Sequence, residues 1–387
     1  MVVNPVFVPL LQGYGLSMNQ VLQTQALFAL TIALFEVPSG YIADMWGRRR
    51  AIVMGSVFYA GGFLCLLGAD SFAEFLVYEF VLGLGFSLIS GADLALLYDT
   101  EVYLQKRGLP HGVGPGKSLS RLISIEAAAS GIAGIAASIL LLWSLETVVA
   151  VQAFLGLMPL ILAFALVEVP RPATEVSHRN NARTIVELLL FGKPVVLWTA
   201  FAIAVFGLLA VYIFWIYQKY WELQGIPIGW NGYIWAAFAL TVSVAARYAS
   251  ALEQRLGTAR ILCLIGALPL LGLLGMALGA GWIGVIFGFA VQLSRGLSMS
   301  LFYEGLNRRV PGDFRATVNS LVSLGVRAVF IVTGPALGYA LDSIGVNTLL
   351  LLLVAIFTPL IAVVLIPLVI RISREDVPCD SQVVPAN

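Results

Sequence analysis

Long apolar runs separated by short polar segments dominate this chain. Apolar spans fall at approximately 19–42, 51–69, 75–98, 118–142, 146–167, 195–217, 231–252, 260–281, 283–304, 316–341 and 346–370. Each is close to the ~20 residues an α-helix needs to cross about 30 Å of hydrocarbon. A helix also satisfies its own backbone in a medium that offers no hydrogen bonds. Residues 1–11 are apolar as well, but span only about half a membrane, and Gln12-Gly13-Tyr14-Gly15 then reads as a turn. They are expected to be the outer half of a first helix that begins upstream of Met1, with a short re-entrant start as the alternative. The fold class expected is an all-α polytopic membrane protein.

Composition narrows the function. Apolar residues make up 60% of the chain and charged residues 11%, and the mean hydropathy is +0.94; soluble domains of this length need a far more polar surface. The net charge is +1, and no basic, aromatic-interleaved patch exists, so nucleic acid is not an expected partner. Cys65, Cys263 and Cys379 form no C-x-x-C pair; Cys65 and Cys263, inside apolar runs, read as small buried hydrophobes. His111 and His178 fall in loops, so neither a metal site nor a cofactor is expected. No cleavable signal peptide is visible.

Basic residues orient the spans. With the Arg48–Arg50 loop on the cytoplasmic side, Lys219 alone falls outside, Arg247, Arg295 and Arg327 fall within spans, and the rest of the 22 basic residues share the cytoplasmic side. The longest polar stretch divides the chain near its middle. The expected organisation is a bundle over 1–167, a cytoplasmic linker over 168–194, a second bundle over 195–370, and a cytoplasmic tail over 371–387.

The loop after the second span reads Gly40-Tyr41-Ile42-Ala43-Asp44-Met45-Trp46-Gly47-Arg48-Arg49-Arg50. Its spacing, G-x-x-x-D-x-x-G-R-R-R, resembles the signature loop of the major facilitator superfamily of secondary transporters, between the second and third helices. The resemblance implies two pseudo-symmetric six-helix bundles, here with the first helix incomplete. It implies that Gly40 packs the second helix closely on the eleventh, that Asp44 lies near a positive helix N-terminus, and that Arg48 tethers the loop to cytoplasmic acids. Gly40, Asp44, Gly47 and Arg48 would then form a conformational latch. The segment from Ser250 to Arg260 looks like a decayed copy, with Gly257 matching Gly47 and Gln254 in place of the acid; parallel repeats of this kind suit a transporter.

Charge within hydrocarbon is costly, so its placement is informative. Counting the partial helix as first, the third, sixth, ninth and twelfth spans carry no charge apart from Glu146 and Arg260 at their ends. In the superfamily those helices face lipid. Charges fall instead in the second span (Glu36), fourth (Glu79, Asp93), fifth (Glu126), eighth (Arg247), tenth (Arg295) and eleventh (Arg327). Arg295 is about 13 residues from the outer end of its span and Arg327 about 12 past Arg315, which at ~1.5 Å per residue is near mid-membrane. Glu126, Arg327, Arg295, Glu79 and Asp93 are the expected coupling or substrate cavity. Glu126 is the expected proton-carrying acid, with Arg327 as its first partner and Arg295 as its second. Glu36 reads as a structural partner for nearby arginines. Tyr212, Phe214, Trp215, Tyr217, Tyr220 and Trp221 read as an interfacial aromatic belt, or alternatively as a stacking surface for a flat solute.

These features point to secondary active transport of a small organic solute by alternating access, with proton-coupled export as the leading direction and uptake symport or uniport as alternatives. A monomer in the cytoplasmic membrane is expected. The chain departs from drug/proton antiporters of the superfamily: Glu79 stands where they carry an arginine before Gly83-Leu84-Gly85, and Gly131 and Gly134 lack the antiporter proline. A receptor or scaffold is the alternative from another class. An enzyme is disfavoured because the longest outer loop, about Gln218 to Trp230, offers only Glu222 as an acid. ATP-driven transport is disfavoured because no G-x-x-x-x-G-K-[ST] loop occurs. If the signature loop biases conformation and does not touch solute, Asp44→Asn lowers turnover by about tenfold or more while leaving affinity nearly intact. Transport and equilibrium binding measured on the same preparation check this; lost affinity with normal turnover would refute it.

Overall fold

The computed structural model describes residues 1–90, 92–108, 115–168, 194–310 and 315–375. Among them every regular element is helical. After a 3-10 turn at Asn4–Val6 come α1 (Phe7–Gly13), α2 (Met18–Trp46), α3 (Arg48–Gly68), α4 (Phe72–Ser90), α5 (Asp93–Lys106), α6 (Pro115–Leu140), α7 (Leu145–Gly156) and α8 (Met158–Ala165). The second half contributes α9 (Pro194–Leu223), α10 (Asn231–Leu256), α11 (Thr258–Leu278), α12 (Trp282–Arg309), α13 (Arg315–Ile344) and α14 (Val346–Glu375). The expected linker lies outside the described residues beyond Glu168 and before Pro194, as do His111, His178, Cys379 and the tail past Glu375.

Among the described residues, ten stretches are long and apolar enough to cross a bilayer, α4 with α5 and α7 with α8 each counting as one. The expected span 118–142 is α6, whose apolar part among the described residues is the shorter Ala128–Leu140. Several helices outrun their apolar spans: α2 runs through Pro38 to Trp46, ending at Gly47. Gly47 has φ +102° and Gly257 φ +82°. Each sits at the break between a long helix and the next, a conformation that glycine alone adopts without strain.

The halves of the chain meet along two seams, α2 on α13 and α6 on α10. At α6–α10 the backbones touch: a Cβ at Gly134 would lie 2.7 Å from the Gly232 carbonyl. Among the described residues, nearly all hydrogen bonds across the halves lie at the end carrying the 14–17 and 224–230 turns, the closed end. There Asp342 accepts from the Met18 and Asn19 N–H groups at 3.1 and 2.9 Å. Asn19 Nδ2 donates to the Pro335 carbonyl at 3.2 Å, Asn231 Nδ2 to that of Pro5 at 3.3 Å, and the Tyr233 N–H to Ser138 Oγ at 3.1 Å. The short N-terminal segment is held by buried glutamines: Gln152 accepts from the Val2 N–H at 2.6 Å and Gln218 from the Val8 N–H at 2.9 Å.

Two expectations are corrected. Cys65 and Cys263 are exposed, because α3 and α11 turn these faces outward, where a thiol is apolar enough to meet lipid. The aromatic cluster is not an interfacial belt: Tyr217, Tyr220 and Trp221 are fully buried, since α9 packs against α12, α13 and α14. The two tyrosine hydroxyls find backbone partners, Tyr217 donating to the Gly288 carbonyl at 3.1 Å and Tyr220 to that of Met276 at 2.9 Å.

Helices α3 and α4 cross at glycines as well. A Cβ at Gly85 would lie 2.6 Å from the Tyr59 nitrogen and 2.9 Å from the Gly55 carbonyl, both backbone atoms with little room to yield. Gly85→Ala therefore costs about 1–3 kcal/mol, read as a lowered melting temperature in detergent. Gly131→Ala meets nothing within 4 Å and leaves the melting temperature unchanged or raised, given the ~1 kcal/mol helix preference of Ala over Gly. Equal responses would show that the α3–α4 contact is looser than described.

Candidate functional site

Between the halves lies a cavity of about 580 Å³, within the usual range of small-molecule sites. Helices α2 and α4 supply one wall; α9, α12 and α13 supply the other. Aromatic rings dominate it, among them Phe28, Phe86, Phe206, Trp215, Phe302 and Phe330. Phe214 and Trp215, from the corrected cluster, line it with ring centroids 4.7 Å apart.

Charged groups are few. Glu79 is 2% exposed, and its carboxylate accepts a short hydrogen bond from the Gln25 side-chain amide. Arg327 lies on the opposing wall, and its guanidinium reaches Glu36 Oε2 at 2.9 Å. Arg295 lines the cavity and, among the described residues, its side chain has neither a hydrogen bond nor an ion pair. The cavity thus brings together Glu79, Arg295 and Arg327 of the expected set.

It does not gather the other two. Glu126 is exposed on α6, is absent from the cavity wall, and has no ion pair among the described residues. Asp93 is exposed at the start of α5 and accepts from the Leu94 N–H at 2.6 Å. The expected Glu126–Arg327 pair is not formed, for a topological reason. Helices α6 and α13 each pack on a helix of the other half, α6 on α10 and α13 on α2. Across its own seam Arg327 therefore meets Glu36.

At the opposite end from the closed one, the Arg48 guanidinium pairs with Asp99 at 2.5 Å and donates to the Ala95 carbonyl. Glu168 accepts from the Arg48 and Arg49 N–H groups at 2.9 and 3.3 Å, so a carboxylate caps the N-terminus of α3. Asp44 borders the same groove, with Arg49 and Arg50. Gly40 makes no close approach here: a Cβ there would meet nothing within 4 Å. Sequence reasoning missed Gln25, Glu168 and Asp342. Glu168 carried a usable signal, an acid directly after a span facing a triple-arginine loop. Gln25 and Asp342 carried none, since an uncharged amide in a span and an acid near a helix end are both ordinary.

The family model for the Major Facilitator Superfamily matches residues 1–309. No curated protein sequence matches the chain. Solved structures of similar shape include the nucleoside transporter NupG, 11% identical over 95% of this chain and 93% of that one, with a TM-score of 0.72. A bacterial homolog to the human lysosomal transporter Spinster, described as inward-facing and unoccupied, is 13% identical over 96% of this chain and 91% of that one, with a TM-score of 0.68. A D-xylose-proton symporter is 14% identical over 95% of this chain and 91% of that one, with a TM-score of 0.67. At such identities the likeness is one of fold.

The Arg327–Glu36 contact is open to a direct check. With the two side chains 31% and 28% exposed, a double-mutant cycle of Glu36→Gln and Arg327→Gln, read by melting temperature, gives a coupling energy of about 1 kcal/mol. A coupling energy of zero would make the contact incidental.

Proposed function

The chain belongs to the major facilitator superfamily, and on that premise we propose that it carries a small organic solute across the cytoplasmic membrane by alternating access, coupled to protons. The bundles over 1–167 and 195–370 rock about the cavity, and the state described is the one open to the cytoplasm. Three observations support that state. Hydrogen bonds between the halves concentrate at the closed end, the arginine-rich loop is at the other end, and a solved structure of similar shape is described as inward-facing. Of the latch residues Gly40, Asp44, Gly47 and Arg48, Arg48 already holds Asp99 here; the Gly40 contact closes in the alternate state, in keeping with the space around Gly40 here.

One observation carries the coupling proposal: Glu79 is buried in the cavity wall with a neutral amide as its hydrogen-bond partner. Tyr78 on its own helix lies near it, and the cations Arg295 and Arg327 line the same cavity. A carboxylate so placed can take up a proton and release it as the cavity changes sides. Glu79 thereby replaces Glu126 as the proton carrier. Export by proton exchange is the direction expected from the sequence. Uptake together with protons is a second reading, favoured by the likeness to a structure described as a proton symporter.

Glu79→Gln should abolish pH-gradient-driven accumulation in proteoliposomes while preserving downhill exchange, measured across radiolabelled nucleosides, pentoses and aromatic carboxylates. Full gradient dependence in that variant would return the role to Glu126 or Asp93. The sign of proton movement accompanying solute entry separates export from uptake.

A further inference from the structure

The charges of the cavity are not all paired within the protein. Arg327 has Glu36 at 2.9 Å. Glu79, on the wall contributed by the first half, is held by Gln25. Arg295 is left without a partner among the described residues. No acid faces it from its own helix, where Glu304 is paired with Arg308. From α9 the neighbouring Tyr217 spends its hydroxyl on the Gly288 carbonyl at 3.1 Å. A guanidinium cannot shed its charge, and a charge inside a membrane-spanning bundle is costly unless it is compensated. The cavity it lines is also lined by Phe206, Phe214, Trp215 and Phe302, with Ser298 one turn along the same helix.

We propose that Arg295 binds the anionic end of the transported solute, and that this solute is an organic oxyanion with a flat apolar body. The inference rests on the transport reading above and adds the chemical class of the cargo. A guanidinium offers parallel N–H donors matched to two oxygens of a carboxylate or phosphate. The ring faces beyond it bury an apolar body, and a cavity of about 580 Å³ holds a solute of one or two rings. Such a ligand brings to Arg295 the counter-charge that the protein withholds.

The test compares pairs differing only in charge: 1-naphthoate against 1-naphthamide, with 1-naphthyl phosphate as the second oxyanion. Binding to the purified full chain is followed by tryptophan fluorescence, to which Trp215 on the cavity wall contributes. The oxyanions should bind at least about tenfold more tightly than the amide. Arg295→Gln should bring that ratio close to one, and Arg295→Lys should keep part of it. The lysine variant and the wild-type ratio decide the matter if Arg295→Gln fails to fold. Equal binding of naphthoate and naphthamide, an undiminished ratio in Arg295→Gln, or no saturable binding of either oxyanion would each overturn the proposal. Counterflow in proteoliposomes separates this from the transport reading. Flux of neutral nucleosides or pentoses with none of the oxyanions refutes the oxyanion cargo and leaves transport standing. Arg295-dependent binding without any flux refutes transport and leaves the anion site standing.

Discussion

A helix that starts in an apolar medium presents N–H groups that its own backbone cannot satisfy. Much of this architecture answers that constraint with side chains from distant parts of the chain. Asp342, at the end of α13, takes the first N–H groups of α2, which also begins with a Ser17–Gln20 capping box. Glu168 takes those of α3, and Gln152 and Gln218 take those of the N-terminal segment. Each bond ties the start of one segment to a residue more than 100 positions away in the chain. The closed end exists because such ties cross between the halves there.

The same constraint explains what the sequence could and could not reveal. The apolar spans and the glycine breaks at Gly47 and Gly257 were legible, because run length and φ requirement are local properties. The stretches of α3 past Arg50 and of α11 past Arg260 were legible through their lack of acids and bases. The cavity was half legible. Glu79, Arg295 and Arg327 could be picked out as deep charges, but the partner of Arg327 depends on which seam α13 faces, and that is a property of packing. Glu126 lies off the cavity wall for the same reason: depth along a helix says nothing about the face a residue occupies. The aromatics of α9 have the composition of a membrane belt and the burial of a core, and no periodicity separates the two.

Charge economy within the cavity follows from the two seams. The α2–α13 seam neutralises one arginine with Glu36. The α6–α10 seam is closed by small residues and backbone contacts, and among the described residues no acid from it pairs with Arg295. The second arginine is thereby left facing the cavity, while the acid on the opposite wall is occupied by an amide. Opposite charges that could have joined across the space are kept separate, which preserves a polar cavity within a largely aromatic shell.

The glycine contact between α6 and α10 has a mechanical meaning. Helices that interdigitate through side chains must unlock ridge from groove before one can turn on the other. Where Gly134 meets Gly232 there are no teeth to disengage. That crossing serves as a bearing: it holds the halves at a fixed spacing and resists rotation weakly. In the rocking cycle proposed above, resistance then falls on the few polar contacts between the halves, such as the Asp342 cap and the Arg327–Glu36 contact.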